Sequence, residues 1–257
     1  MSDAIAERWR SLGRRRALIP YLTAGFPNRE VSLETMRRVA AAGADFIEVG
    51  IPFSDPLADG PTIQRTTQTA LEQGMNVPRV LALVRDAAVA VPVIIMTYLN
   101  PVMAFGIDRF VAAAHAAGVA GMLLTDLPAG ADSTIEAAVT QSALALIRLV
   151  APTTDDERLA AAANNASGFI YFISRLGVTG ARTAVPLDLE AQVARIRTVT
   201  KLPIAVGFGI GSPAQAATAA RYADGVVVGS ALMDALAQGG ASAAEQLARE
   251  LAAAVHA

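Results

Sequence analysis

Two carboxylates carry the first chemical signal in this chain. Glu48 closes a short apolar run, and Asp59 follows it inside the segment EVGIPFSDPLADGPTIQ (48–64), which proline and glycine stiffen. A carboxylate flanked by Phe46, Ile47, Val49 and Ile51 costs stability unless it is paired or used. Asp55, by contrast, reads as an ordinary turn or capping acid. The other groups available for chemistry are few. The chain has no cysteine, hence neither a thiolate nucleophile nor a disulfide framework. Lys201 is its one lysine, placed just before a strand pattern and away from the reactive end of such a strand, which removes an imine mechanism. His115 falls in a helix pattern and His256 in a terminus expected to fray, so the sequence offers no metal cluster. Carboxylates, tyrosine hydroxyls and backbone donors remain, and the electron sink for any bond cleavage must lie in the substrate. An aromatic heterocycle can be that sink. Met96, Tyr98, Leu123, Tyr171 and Phe208 can line a flat slot for it, or equally fill layers of a core.

Such groups need elements to hold them. Apolar runs at 17–22, 46–50, 93–98, 121–125, 144–150, 169–173, 204–207 and 225–228 read as strands. Between and after them, helix patterns fall at 29–42, 78–90, 108–117, 132–141, 155–165, 187–198, 213–221 and 243–255, most with Asp, Asn, Ser or Pro near the start. Strand followed by helix, eight times over, predicts an α/β fold, a parallel (β/α)8 TIM barrel with an extra amino-terminal helix. No Ser- or Gly-rich linker splits residues 1–257, so one domain is expected. In such a barrel ligands bind at the carboxyl ends of the strands, where Glu48 and Asp59 fall. Three late loops on that face carry glycine: SRLGVTGAR (174–182), GFGIG (207–211), and Gly229 with Ser230 ahead of a short helix. GFGIG alone can be a tight turn, but three such loops together predict a phosphate cup, because backbone N–H groups approach closely there and a helix start is electropositive.

Composition excludes several partners. Hydrophobic residues make up 53% of the 257 residues and charged ones 17%, and the formal net charge is -2. A full core can be buried, and there is no basic stripe for nucleic acid. The longest uncharged run, between Asp86 and Asp108, is broken by Pro92, Asn100 and Pro101, which argues against a membrane helix. No apolar leader opens the chain, so a cytoplasmic enzyme acting on a small molecule is expected.

The segments LIPYLTAGFP (18–27), EVGIPFSDPLADGPTIQ, YLNPVMAFG (98–106), TDLP (125–128), SRLGVTGAR and GFGI occur in one order along nearly the whole chain. Together they resemble the tryptophan synthase alpha subunit family. The resemblance implies reversible cleavage of indole-3-glycerol phosphate to indole and glyceraldehyde 3-phosphate, in an alpha-beta-beta-alpha complex. It implies no cofactor in this chain, pyridoxal phosphate belonging to the beta subunit. It makes Glu48 the general acid/base and Asp59 the carboxylate beside the indole N–H. Thr179 would close a loop toward that aspartate, while Gly180, Gly209, Gly229 and Ser230 would bind phosphate. Tyr21, Met96, Tyr98, Leu123, Tyr171 and Phe208 would surround the indole. Two departures stand out, Phe26 where many relatives carry an acid and Tyr21 where phenylalanine also occurs; neither removes a group the chemistry needs.

The stretch after the third strand is expected as a loop, 100–106, that puts Pro101, Val102, Met103 and Phe105 on the surface, matching the family's docking face for the beta subunit, unless it folds back over the barrel mouth. Alternatives within this family are a stand-alone lyase releasing free indole and a weakly active subunit that mainly activates its partner. Another phosphate-binding barrel, such as an isomerase of a phosphorylated sugar-amine, would share the glycine loops without the Glu48–Asp59 pair.

Overall fold

The computed structural model describes residues 3–173, 188–207 and 209–257. Strands β1 (Ala17–Thr23), β2 (Ile47–Gly50), β3 (Val93–Thr97), β4 (Val119–Leu124), β5 (Ala145–Val150), β6 (Ile170–Ile173), β7 (Ile204–Gly207) and β8 (Gly225–Val228) form a closed barrel. Every pair of neighbours is parallel, and β1 closes on β8 with Ala17 beside Gly225. The strands read as unbroken apolar runs because both faces are covered, by the barrel interior on one side and by helices on the other. Around them lie α1 (Asp3–Leu12), α2 (Arg29–Ala41), α3 (Pro61–Glu72), α4 (Val77–Ala87), α5 (Leu99–Phe105), α6 (Ile107–Ala116), α7 (Ser133–Thr140), α8 (Asp156–Asn164), α9 (Leu189–Arg197), α10 (Pro213–Ala220) and α11 (Ser230–His256). Local chemistry sets several starts: Asn28, Asn76, Asp132, Asp155 and Ser212 each accept a hydrogen bond from a first-turn amide.

Two helices are absent from the sequence-based expectation. The segment after Gly60 is helix α3, begun by Pro61 at its first position and buried on Ile63, Thr66, Thr67 and Ala70. The stretch expected as a loop at 100–106 is helix α5, which ends at Gly106 with φ 90. The short helix expected after Ser230 and the closing helix join as α11 across a bend at Gly240, where φ is 68 and ψ is -165.

Helix α1 closes the amino-terminal mouth of the barrel. Ile5 is fully buried, and the Trp9 ring lies 4.9 Å from that of Phe46 and 5.9 Å from that of Phe169. At the same end buried Asp45 gathers Arg8 at 2.7 Å, Arg15 at 2.6 Å, the Leu18 amide at 2.8 Å and His256 Nε2 at 2.8 Å. His256 therefore does not fray as expected; Asp45 ties it to the barrel and joins both ends of the chain there. With the amino-terminal end sealed, the carboxyl ends of the strands are left for ligands.

Candidate active site

Glu48 sits on β2, in register with Tyr21 of β1 and Ile94 of β3. Its side chain is 1% exposed, and Oε2 has no hydrogen-bond partner among the described residues. Burial above all, with the negative charge of Asp59 second, raises its pKa to about 8. Asp59 lies between β2 and α3 in a segment tied to itself: its amide donates to Pro56 O at 3.0 Å, and Gln64 Nε2 donates to Asp59 O at 2.8 Å. Burial raises the Asp59 carboxyl to about 6, while the Tyr98 hydroxyl, by hydrogen-bonding the charged form, draws it back. The two acids thus titrate apart. Near neutral pH the pair holds one proton, on Glu48, with Asp59 ionised; the values belong to the pair as a coupled unit. Such a pair can donate and retrieve a proton at one point while stabilising positive charge at another.

Tyrosines frame these acids. Burial, then the charge of Asp59, pushes the Tyr21 phenol well up; burial, then Glu48, does the same to Tyr171. Both stay neutral hydroxyls at working pH. Each phenol oxygen rests against a glycine backbone at the end of the next strand, Tyr21 on Gly50 and Tyr171 on Gly207, in the space a β-carbon would take. Only glycine permits that approach. Beside Asp59 a cavity of about 10 Å³, room for about one water, is bordered by Tyr21, Met96 and Tyr98 together with Ile51, Phe53 and Thr67. Leu123 and Tyr171, expected around the same slot, are buried and do not border this cavity. Leu123 packs in register between Met96 and Ile147 as a barrel layer.

Gly209 and Gly229 leave the same carboxyl-terminal face of the barrel, after β7 and β8. Gly209 follows β7 with φ 85, and Gly229 precedes Ser230 at the start of α11. A β-carbon on Gly229 would meet the Tyr21 ring at 3.4 Å, so the helix start borders the residue that faces Glu48. A helix start is electropositive, because its first-turn amides have no partner within the helix. Thr179, Gly180 and Phe208 lie outside the described residues.

Residues 10–256 match the family model described as tryptophan synthase alpha chain. The chain belongs to the tryptophan synthase alpha chain family. A relative of that name from Acidiphilium cryptum is 50% identical over 228 residues, 88% of this chain and 83% of its own length. One from Gluconacetobacter diazotrophicus is 47% identical over 96% of this chain and 94% of its own. Among solved structures, tryptophan synthase of Mycobacterium tuberculosis superposes with a TM-score of 0.93 at 41% identity, covering 98% of each chain. The alpha subunit from Legionella pneumophila does so with a TM-score of 0.88 at 34% identity over 98% of each. Membership in the tryptophan synthase alpha family makes the chain a lyase of tryptophan biosynthesis.

Against this tryptophan synthase alpha fold, α5 needs one correction. Val102 was expected on the surface, yet it is fully buried, because a helix turns one face inward where a loop would not. Met103 is 49% exposed. Pro101 and Phe105 are half-buried, Phe105 under the Arg109 guanidinium at 4.3 Å. Sequence reasoning also passed over Leu57, which is 87% exposed in the segment carrying Asp59. An apolar residue between proline and alanine in a turn was the available signal. Phe53 and Thr67 were missed too; Thr67 comes beside Asp59 on α3, which the sequence reading left out, and Phe53 comes from the segment after β2.

Proposed function

We propose that this chain cleaves indole-3-glycerol phosphate, reversibly, to indole and glyceraldehyde 3-phosphate. The protonated Glu48 gives its proton to indole C3, which turns the ring into an iminium-like acceptor. The Glu48 carboxylate then takes the C3′ hydroxyl proton; the C–C bond electrons return to the ring, and the aldehyde leaves. Asp59, ionised, stands against the positive charge that develops at the ring nitrogen. The observation that carries this reading is the pair of pKa values pushed apart, about 8 for Glu48 and about 6 for Asp59, so that a proton donor and an anion coexist at neutral pH.

On this reading Tyr21, Met96, Tyr98, Leu123, Tyr171 and Phe208 surround the indole. Gly180, Gly209, Gly229 and Ser230 hold the phosphate, and Thr179 closes over the site. We take residues 1–257 to work as one domain in the cytoplasm. The described helices support this only in that none is long and apolar enough to cross a membrane. The beta subunit would dock where Met103, Phe105, Pro101 and Leu57 present apolar surface beside the site, and it would carry pyridoxal phosphate, leaving this chain to work with carboxylates alone.

The test is condensation of indole with glyceraldehyde 3-phosphate by the purified chain. Glu48→Gln should keep ligand binding and lower turnover by about two to four orders of magnitude. Near-parental turnover would remove Glu48 from the mechanism.

A further inference from the structure

We propose that Tyr98 is the positioning residue for Asp59: its hydroxyl anchors the loop between β2 and α3 and turns its own proton toward the carboxylate. This rests on the proposed role of Asp59. The phenol oxygen accepts the Ala58 amide at 3.0 Å, and Ala58 is the residue immediately before Asp59. A phenol that accepts one hydrogen bond still has one proton to give, and the adjacent acid is Asp59, whose charged form it hydrogen-bonds. The same loop is gripped a second time, since the Phe53 ring packs on the Tyr98 ring at 5.3 Å between centroids. Tyr98 is itself held from the other side: it is the residue before α5, and the next amide, that of Leu99, donates to Asp126 Oδ1 at 2.7 Å. The tyrosine therefore links three carboxyl-face segments, the β2–α3 loop, the start of α5 and the end of β4. A displacement of α5 can therefore reach Asp59 through this side chain.

Removing only the hydroxyl separates this role from wall packing. Tyr98→Phe keeps the ring that stacks on Phe53, so the fold is retained. In the full chain, kcat for condensation of indole with glyceraldehyde 3-phosphate should fall several-fold while KM for indole stays within about twofold. The acid limb of kcat should move up by about one pH unit, because the ionised Asp59 loses a hydrogen bond. Among the described residues, the titratable groups facing Asp59 are Glu48 on β2, Tyr21 on β1, Tyr98 between β3 and α5 and Tyr171 on β6, with Asp126 acting on Tyr98. Of these, Tyr98→Phe removes only the Tyr98 hydroxyl, and ionisation of the substrate phosphate is common to both proteins. An unmoved acid limb, or a rise in KM with kcat intact, would overturn the proposal and leave Tyr98 as a wall residue. Asp59→Asn measured alongside keeps the two readings apart. If it turns over like the parent, the role of Asp59 falls; if it is impaired while Tyr98→Phe matches the parent, only the present inference falls.

Discussion

At the scale of single residues, Glu48 is an acid that the fold holds uncharged. Its folded pKa, about 8, lies above the 4.5 of a free glutamate, so the unfolded chain loses its proton first as pH rises. Stability from the neutral form is complete below about 4.5 and is lost as pH climbs through about 8. Glu48→Gln removes that slope. Denaturant unfolding at several pH values should show the variant gaining on the parent through this window, by up to about 1.4 kcal/mol per pH unit. Glu48 was legible in the sequence because a carboxylate among β-branched and aromatic neighbours is anomalous on its own. The seating of Tyr21 on Gly50 was not, since it joins a side chain to backbone across the β1–β2 pair, whose register the sequence does not state. Gly50→Ala should collide with the Tyr21 hydroxyl and lower thermal stability and turnover. Tyr21→Phe, which deletes the colliding oxygen, should recover part of the loss in a double-mutant cycle; additive losses would mean the contact is loose.

Elements show the complementary pattern. All eight barrel strands were readable as apolar runs, and β7 and β8 occupy the expected residues, because burial on both faces leaves no polar position to blur a boundary. Helices α3 and α5 were lost to their prolines. Pro61 and Pro101 suggest turns in a sequence, yet each falls in the first turn of its helix, where the missing amide costs nothing. Reading α5 as a helix changes what its residues do. Met103→Asp should weaken binding of a beta subunit, measured by calorimetry, while sparing the basal lyase rate. Val102→Asp should instead unfold the protein at lower denaturant, because it buries an unpaired carboxylate in the core. Equal loss of partner affinity without loss of stability in both would place Val102 at the surface after all.

The whole molecule divides its labour by ends. The amino-terminal end is shut by α1 and knotted by Asp45, which binds Arg8, Arg15 and His256 from the two chain termini; none of these pairings has a local sequence signal. The carboxyl-terminal end carries the two acids, the tyrosines, Gly209 and Gly229, and this end was readable because a parallel barrel sends every strand's end to one face. The central claim for that face is one proton held on Glu48 beside an ionised Asp59. The most direct test is kcat/KM for indole-3-glycerol phosphate from about pH 6 to about 9.5, in the parent and in Asp59→Asn. The account predicts an alkaline limb with its midpoint near about 8 in the parent, set by loss of the Glu48 proton. In Asp59→Asn the residual activity should show that midpoint lowered, since the neighbouring negative charge is gone. A parent with no alkaline limb in this range, or a midpoint unmoved by Asp59→Asn, would contradict it.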